Sequence, residues 1–227
     1  MDKKTYKLIE DYMLSCMEDS AHDKEHIYRV LYTALDIAET EPEADRDILI
    51  TACLLHDIAR REQLENPALC HAQVGAEKAK MFLLDNGFSE EFSDKVAHCI
   101  STHRFRGNNP PESIEAKILF DADKIDAAGT LGIARTLLYN GTVGSPLYSL
   151  NENGLVSDGK DDDMPSFLQE YRFKLEKVYS KLITKRGREI GEQRRKTAVS
   201  FYEDMLSELQ PAYKKGKALL KKEITDG

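Results

Sequence analysis

An all-α fold is predicted by three features of the sequence. Apolar residues recur with a period near 3.6 along most of the chain, and no alternating run leads into a hairpin turn. The periodic stretches are separated by helix stop signals such as Glu41-Pro42, Asn86-Gly87 and Gly107-Asn108-Asn109-Pro110-Pro111. With 227 residues, 41% of them apolar, and 18 aromatics made up of Phe and Tyr, the chain closes a single core as one domain or one domain with an appendage.

The first helix opens near Asp23 and carries Ile27, Val30, Leu31, Ala34 and Ala38 on one stripe. The second runs from about Ala44 to Ala59 with Ile48, Ala52, Leu55 and Ala59 in register. A third starts at about His71 and ends at Asn86-Gly87, a C-terminal stop. The fourth begins near Ser89, with Glu91 and Asp94 early to suit the helix dipole and a stripe of Phe92, Val96, Cys99 and Ile100. The fifth, Ser113 to about Ala128, is apolar on more than one face and so is expected to be buried. Residues 136–165 are expected to form a loop or lid, because 140–165 is rich in Gly, Asn, Asp and Ser and has no sustained period. Two further helices are predicted from Leu168, Tyr171, Leu175, Val178 and Leu182, and from Ala198, Phe201, Tyr202, Met205 and Leu209. The expected organisation is a helical core over 1–135, the loop, and a helical pair over 166–227 packed on the core.

Charge and composition narrow the function. Forty acidic against 32 basic residues give a net charge of -8, which argues against sequence-independent binding of nucleic acid, where many phosphates must be neutralised. The basic residues Lys185, Arg186, Arg188, Arg194 and Arg195 form a local concentration, read mainly as a solvated face pairing with Glu189 and Glu192. Mean hydropathy is -0.51, and no apolar run approaches the ~18 residues that span a bilayer. The start MDKKTYKLIEDYMLS lacks the apolar stretch of a secretory signal. Four scattered cysteines without a CxxC pair fit free thiols in a reducing compartment, so the chain is expected to be cytoplasmic. Neither a GxxxxGK[ST] phosphate loop nor a GxSxG nucleophile motif occurs.

The six histidines all fall in the first 103 residues. His26 sits in the first turn of its helix, with His22 four residues earlier, on the same side if the helix begins that soon. His56-Asp57 interrupts the apolar run ACLLHDIAR, and a buried carboxylate costs several kcal/mol unless paired or metal-bound. His103 extends the stripe of the fourth helix by a turn, whereas His98 projects away from it. FDADKIDA offers Asp121, Asp123 and Asp126 on the fifth helix; Asp123 shares a face with Ala116, Leu119, Phe120 and Ala127, and Asp121 with Ile114, Ile118 and Ile125, so periodicity leaves the choice open. Singly, each is accounted for as a core histidine, a helix end or a solvated face. Together, imidazoles and carboxylates without a thiolate at matching spacing suit a divalent ion in an open coordination sphere.

The order H…HD…D on consecutive helices resembles the HD-domain superfamily of metal-dependent phosphohydrolases. The segments HDKEHIYRV, ACLLHDIA, HAQVGAEKA, ISTHRF and KILFDADKIDAAGTLGIART are similar to its bacterial branch that includes nucleotide pyrophosphohydrolases, and the likeness extends over roughly residues 20 to 210. The resemblance implies an HD core of about five helices with additional C-terminal helices, and a divalent metal ion (Mn, Mg, Fe, Co, Ni or Zn) held by His26, His56, Asp57 and Asp123. Asp123 is chosen over Asp121 because the family places its aspartate in an A-D-x-x-D/H-A string. His71 and His103 match positions that face the phosphate or a second metal in relatives with extra histidines. Lys124 and Arg29 are candidates for neutralising phosphate oxygens. Asp126, Asp121 and His22 remain as orienting groups or alternative ligands. The chain departs from the family at Ile58-Ala59-Arg60-Arg61-Glu62, where relatives often carry an acid three or four positions after His-Asp. The implied activity is hydrolysis of a small phosphorylated substrate, a nucleotide, by a nucleoside triphosphate pyrophosphohydrolase. The alternatives are a cyclic-nucleotide or alarmone hydrolase of the same superfamily, or a non-enzymatic regulatory module.

Overall fold

The computed structural model describes residues 1–17, 24–105, 109–160, 162 and 164–224. Among them the chain is all-α, as the periodicity predicts: the only extended pairing is an isolated antiparallel bridge between Leu150 and Val156. No helix among the described residues is long and apolar enough to cross a membrane. The chain forms two compact units, Met1–Asp126 with Leu182–Arg188, and Ala127–Lys181 with Glu189–Gly227.

The first unit contains α1 (Lys3–Met17), α2 (Lys24–Ala38), α3 (Arg46–Leu55), α4 (Arg60–Glu65), α5 (His71–Asp85), α6 (Glu90–Thr102) and α7 (Ile114–Asp126). Its centre is α3, where Leu49, Ala52, Cys53, Leu54 and Leu55 are fully buried; α1, α2, α6 and α7 pack against it, and α5 pairs with α6. Asp45 caps α3 by accepting from the backbone N–H of Asp47 and Ile48 (2.9 and 3.1 Å), and Ser89 caps α6 by accepting from that of Phe92. The sequence carried α3 on to Ala59, but the helix stops at Leu55. The Cys53 carbonyl accepts instead from the His56 ring (2.7 Å), and the backbone tightens into turns from Ile58 N–H to Leu55 and from Arg60 N–H to Asp57. Two elements, one of 15 residues and one of six, had no sequence prediction. In α1, the thin stripe Ile9, Met13, Met17 is nevertheless buried; α4 has no buried residue at all.

The second unit holds α8 (Gly129–Val143), α9 (Phe167–Glu170) and most of α10 (Lys185–Glu223). Helix α8 takes up residues 136–143, given by the sequence to the loop; it ends on Gly144, whose φ of 71° an L side chain rarely adopts. The stripe from Leu168 to Leu182 is not one helix. After α9, a π turn over Tyr171–Leu175 closes with Glu176 N–H donating to the Tyr171 carbonyl (2.8 Å), and a 3₁₀ turn follows at Tyr179–Lys181. The Ser180 hydroxyl takes the Lys177 carbonyl that a continuing helix would use. All five stripe residues are buried all the same, because burial rewards the side of the chain and not the ideal pitch. Tyr171 stacks on Tyr202 with ring centroids 4.4 Å apart in a core shared with Phe167, Leu168 and Ala198.

Candidate metal centre

Five elements of the first unit aim imidazoles and carboxylates at one place. Helix α2 supplies His26 from its first turn, the unwound end of α3 supplies His56 and Asp57, α5 begins on His71, α6 is capped by His103, and α7 supplies Asp123. These six fall into two groups, His26 with His56 and Asp123, and Asp57 with His71 and His103; in each, the ligand atoms lie within 4.8 Å of one another. Asp57 joins them. Its Oδ2 lies 3.6 Å from His26 Nε2 and 3.7 Å from His56 Nε2, while its Oδ1 lies 3.2 Å from His71 Nε2 and 3.6 Å from His103 Nε2.

Every ring is held by its far nitrogen. Nδ1 of His26 faces Asp126 Oδ2 (2.7 Å), His56 Nδ1 the Cys53 carbonyl (2.7 Å), His103 Nδ1 the Ile100 carbonyl (2.6 Å) and His71 Nδ1 the Gln63 amide oxygen. With Nδ1–H donating outward, a neutral ring turns its Nε2 lone pair inward, the arrangement that metal-ligating histidines require. His26 and His56 bring their Nε2 atoms to 3.4 Å, as do His71 and His103. Such close approach of paired acceptors needs a cation or a proton between them. Asp57 Oδ1 is buried without a hydrogen bond. The residues therefore fit a divalent ion in each group, with nitrogen and oxygen donors and no thiolate.

Electrostatics agree with the geometry. Burial pushes His56 and His71 down to about 4, so both are neutral at pH 7. For His26, burial is outweighed by hydrogen bonds with Asp123, Asp126 and Asp57, which raise it to about 11. Asp57 and Asp123 stay well below the usual carboxylate range despite their burial, Asp57 through His56 and Arg60 and Asp123 through Lys124 and His26. Without an ion, His26 keeps its second proton. An ion entering the His26 group at any pH below about 11 must displace that proton, so affinity falls as pH falls, approaching tenfold per unit. Calorimetric titration with Mn²⁺ in buffers of different ionisation enthalpy is expected to report one proton released per ion in this group at pH 7.5; no release would contradict the arrangement.

The remaining predicted residues separate. Asp126 faces His26 and also receives Arg29, whose Nε and Nη2 lie 2.7 and 3.2 Å from its two oxygens, so Arg29 is engaged behind the histidine. Lys124 Nζ lies 2.9 Å from Asp123 Oδ2 and 5.1 Å from the centre of the Phe120 ring. Asp121 is not brought to the cluster: its carboxylate accepts from the backbone N–H of Ile183 and Thr184 and from the Thr184 hydroxyl, at 2.6 to 3.1 Å. His98 belongs to neither group, and His22 lies outside the described residues. Of the basic concentration, Arg186 pairs with Asp36 and Arg195 with Glu192. Two neighbours had no sequence signal as site residues: Gln63, eight positions before the histidine it holds, and Arg60, whose Nε stands 2.9 Å from Asp57 Oδ2.

The HD-domain family model matches residues 24–128, a span that includes all of these histidines and aspartates except His22. YpgQ of Bacillus subtilis strain 168 is 31% identical over 188 residues, which cover 81% of this chain and 82% of that one. The crystal structure of B. subtilis YpgQ in complex with ADP is similar with a TM-score of 0.71 and 28% identity, over 90% of this chain and 95% of YpgQ. That of an HD-superfamily hydrolase from Bacillus thuringiensis is similar with a TM-score of 0.69 and 29% identity, over 91% of this chain and 97% of the other.

Proposed function

The chain belongs to the HD-domain superfamily of hydrolases, and on that premise we propose that it is a divalent-metal-dependent phosphohydrolase that cleaves nucleoside triphosphates with release of pyrophosphate. The observation that carries the proposal is the Asp57 carboxylate set between two histidine pairs, each able to complete an ion site. His26, His56 and Asp123 would hold one ion, and His71 and His103 a second, with Asp57 shared. Bound there, a divalent ion supplies a water ionised near neutral pH and a Lewis acid for a phosphate oxygen.

The protein's own groups do the rest. Asp126, the Cys53 and Ile100 carbonyls and Gln63 keep the four rings in one tautomer and one orientation. Arg29 fixes Asp126 in turn. Lys124 brings an ammonium to the edge of the cluster, where it offsets charge on a phosphate oxygen. The structural likeness to YpgQ, crystallised with ADP, supports a nucleotide as the ligand. A triphosphate is preferred because its tail needs more cations than a single phosphate does, and this centre gathers metal sites and basic side chains together.

The test is a screen of nucleoside mono-, di- and triphosphates, cyclic nucleotides and 3′-pyrophosphorylated nucleotides with Mn²⁺, Mg²⁺, Co²⁺ and Fe²⁺ in turn, the product identified as phosphate or pyrophosphate. Triphosphates are expected to be cleaved fastest, yielding pyrophosphate, and chelation is expected to abolish turnover. Faster cleavage of cyclic or 3′-pyrophosphorylated nucleotides would move the substrate to the alternative class, and full turnover in thorough chelator would refute metal dependence.

A further inference from the structure

The first residue of α4 places a cation on the carboxylate that joins the two histidine pairs. Arg60 donates its backbone N–H to the Asp57 carbonyl (3.1 Å) and is thereby held one turn after the His-Asp pair. Its Nε lies 2.9 Å from Asp57 Oδ2. That Nε is nevertheless buried without a hydrogen bond, and so is Asp57 Oδ1. An unpaired donor and an unpaired acceptor on touching buried groups are costly in a contact whose role is structural. Arg29 on Asp126 shows the structural form in the same unit, with two aligned hydrogen bonds to the two carboxylate oxygens. Arg60 makes a charge contact without that alignment.

The oxygen it touches is also the one that faces His26 and His56. An ion held by those nitrogens would share Oδ2 with the guanidinium, and like charges so close repel strongly where water is excluded. The Arg60 side chain is 28% exposed, so its head has solvent to turn into. A released guanidinium presents a planar fork of donors that matches phosphate oxygens two at a time.

We infer that Arg60 is a substrate-binding residue, one that competes with a divalent ion for Asp57 Oδ2 and turns from that oxygen to a phosphate group of the substrate when the ion is bound. The inference rests on the metal-dependent phosphohydrolase reading and deepens it. It predicts effects of opposite sign from one side chain: Arg60 weakens the ion, with which it competes, and strengthens the phosphate ligand.

The experiment titrates the full-length metal-free protein with Mn²⁺, and the Mn²⁺-loaded protein with inorganic pyrophosphate, comparing wild type with Arg60→Gln by calorimetry. The variant is expected to bind Mn²⁺ several-fold tighter and pyrophosphate about tenfold more weakly, the loss of a charge-assisted hydrogen bond to an anion. Unchanged pyrophosphate affinity, or weaker Mn²⁺ binding, overturns the inference and leaves Arg60 a structural residue. Should Arg60→Gln fail to fold, Arg60→Lys replaces it. Lysine keeps the charge but not the fork, so Mn²⁺ affinity is expected to stay near wild type while pyrophosphate binding weakens; pyrophosphate binding equal to wild type overturns the inference. Wild-type protein that binds no divalent ion would instead refute the phosphohydrolase reading itself, an outcome separate from any effect of the substitution.

Discussion

Asp57→Asn is expected to lose metal from both groups at once and to lower hydrolysis by at least about a thousandfold. Asp57 sends one oxygen to each pair of histidines, and the amide that replaces it is neutral and offers only one acceptor atom. The four histidines would then face each other with a single remaining anionic ligand, Asp123. Two companion variants make the expectation specific. Asp123→Asn removes a ligand from the His26 group alone, and His103→Ala from the Asp57 group alone, so each is expected to retain one ion per chain where Asp57→Asn retains none. Elemental analysis after dialysis reads the stoichiometry, and circular dichroism establishes that the variants are folded. An Asp57→Asn protein that still holds two ions would exclude the shared carboxylate.

Asp121→Ala is expected to behave in the opposite manner, keeping its metal and losing stability by about 3 kcal/mol, since two backbone N–H groups and a hydroxyl lose a charged acceptor. Its carboxyl is raised by burial against the hydrogen bonds it accepts from Thr184 and Ile183, which identifies it as a buried anchor for the segment Leu182–Arg188 of the first unit. The contact is tight on its far side too, because a Cβ added at Gly187 would come within 2.4 Å of Asp121 Oδ2; Gly187→Ala is expected to destabilise through the same carboxylate. Melting curves with and without Mn²⁺ decide the matter. A loss of about 6 to 12 °C with metal content preserved is expected for a chain of this size. Metal loss with an unaltered melting temperature would make Asp121 the ligand.

The helices were legible because their causes are local. Ile27, Val30, Leu31 and Ala34 lie on one face whatever they pack against, Ser89 caps α6 through an amide three residues on, and Asn86-Gly87 stops α5. The candidate ligand types and their order along the chain were equally plain, since imidazoles and carboxylates inside apolar runs stand out against the free energy of burying them. Where the backbone departs from the regular helix, the cause is a competing hydrogen bond that the apolar pattern does not encode: the His56 ring on the Cys53 carbonyl at the end of α3, and the Ser180 hydroxyl on the Lys177 carbonyl between the turns of the second unit.

Tertiary packing alone decided how the site residues combine. Asp121 and Asp123 are two positions apart on a helix buried around much of its circumference, hence about 200° apart around its axis, and periodicity had no means of saying which side meets the histidines. Packing of α7 beside α2 turns Asp123 to His26, leaving Asp121 to the backbone of Ile183 and Thr184. The division of six groups into two sets and the sharing of Asp57 between them depend on distances between helices far apart in sequence, whereas Arg60 meets Asp57 three positions back and Gln63 meets His71 eight positions on, through turns that the apolar pattern does not encode. Spacing along the chain fixes which face of its own helix a side chain occupies; only the packed core fixes what that face meets.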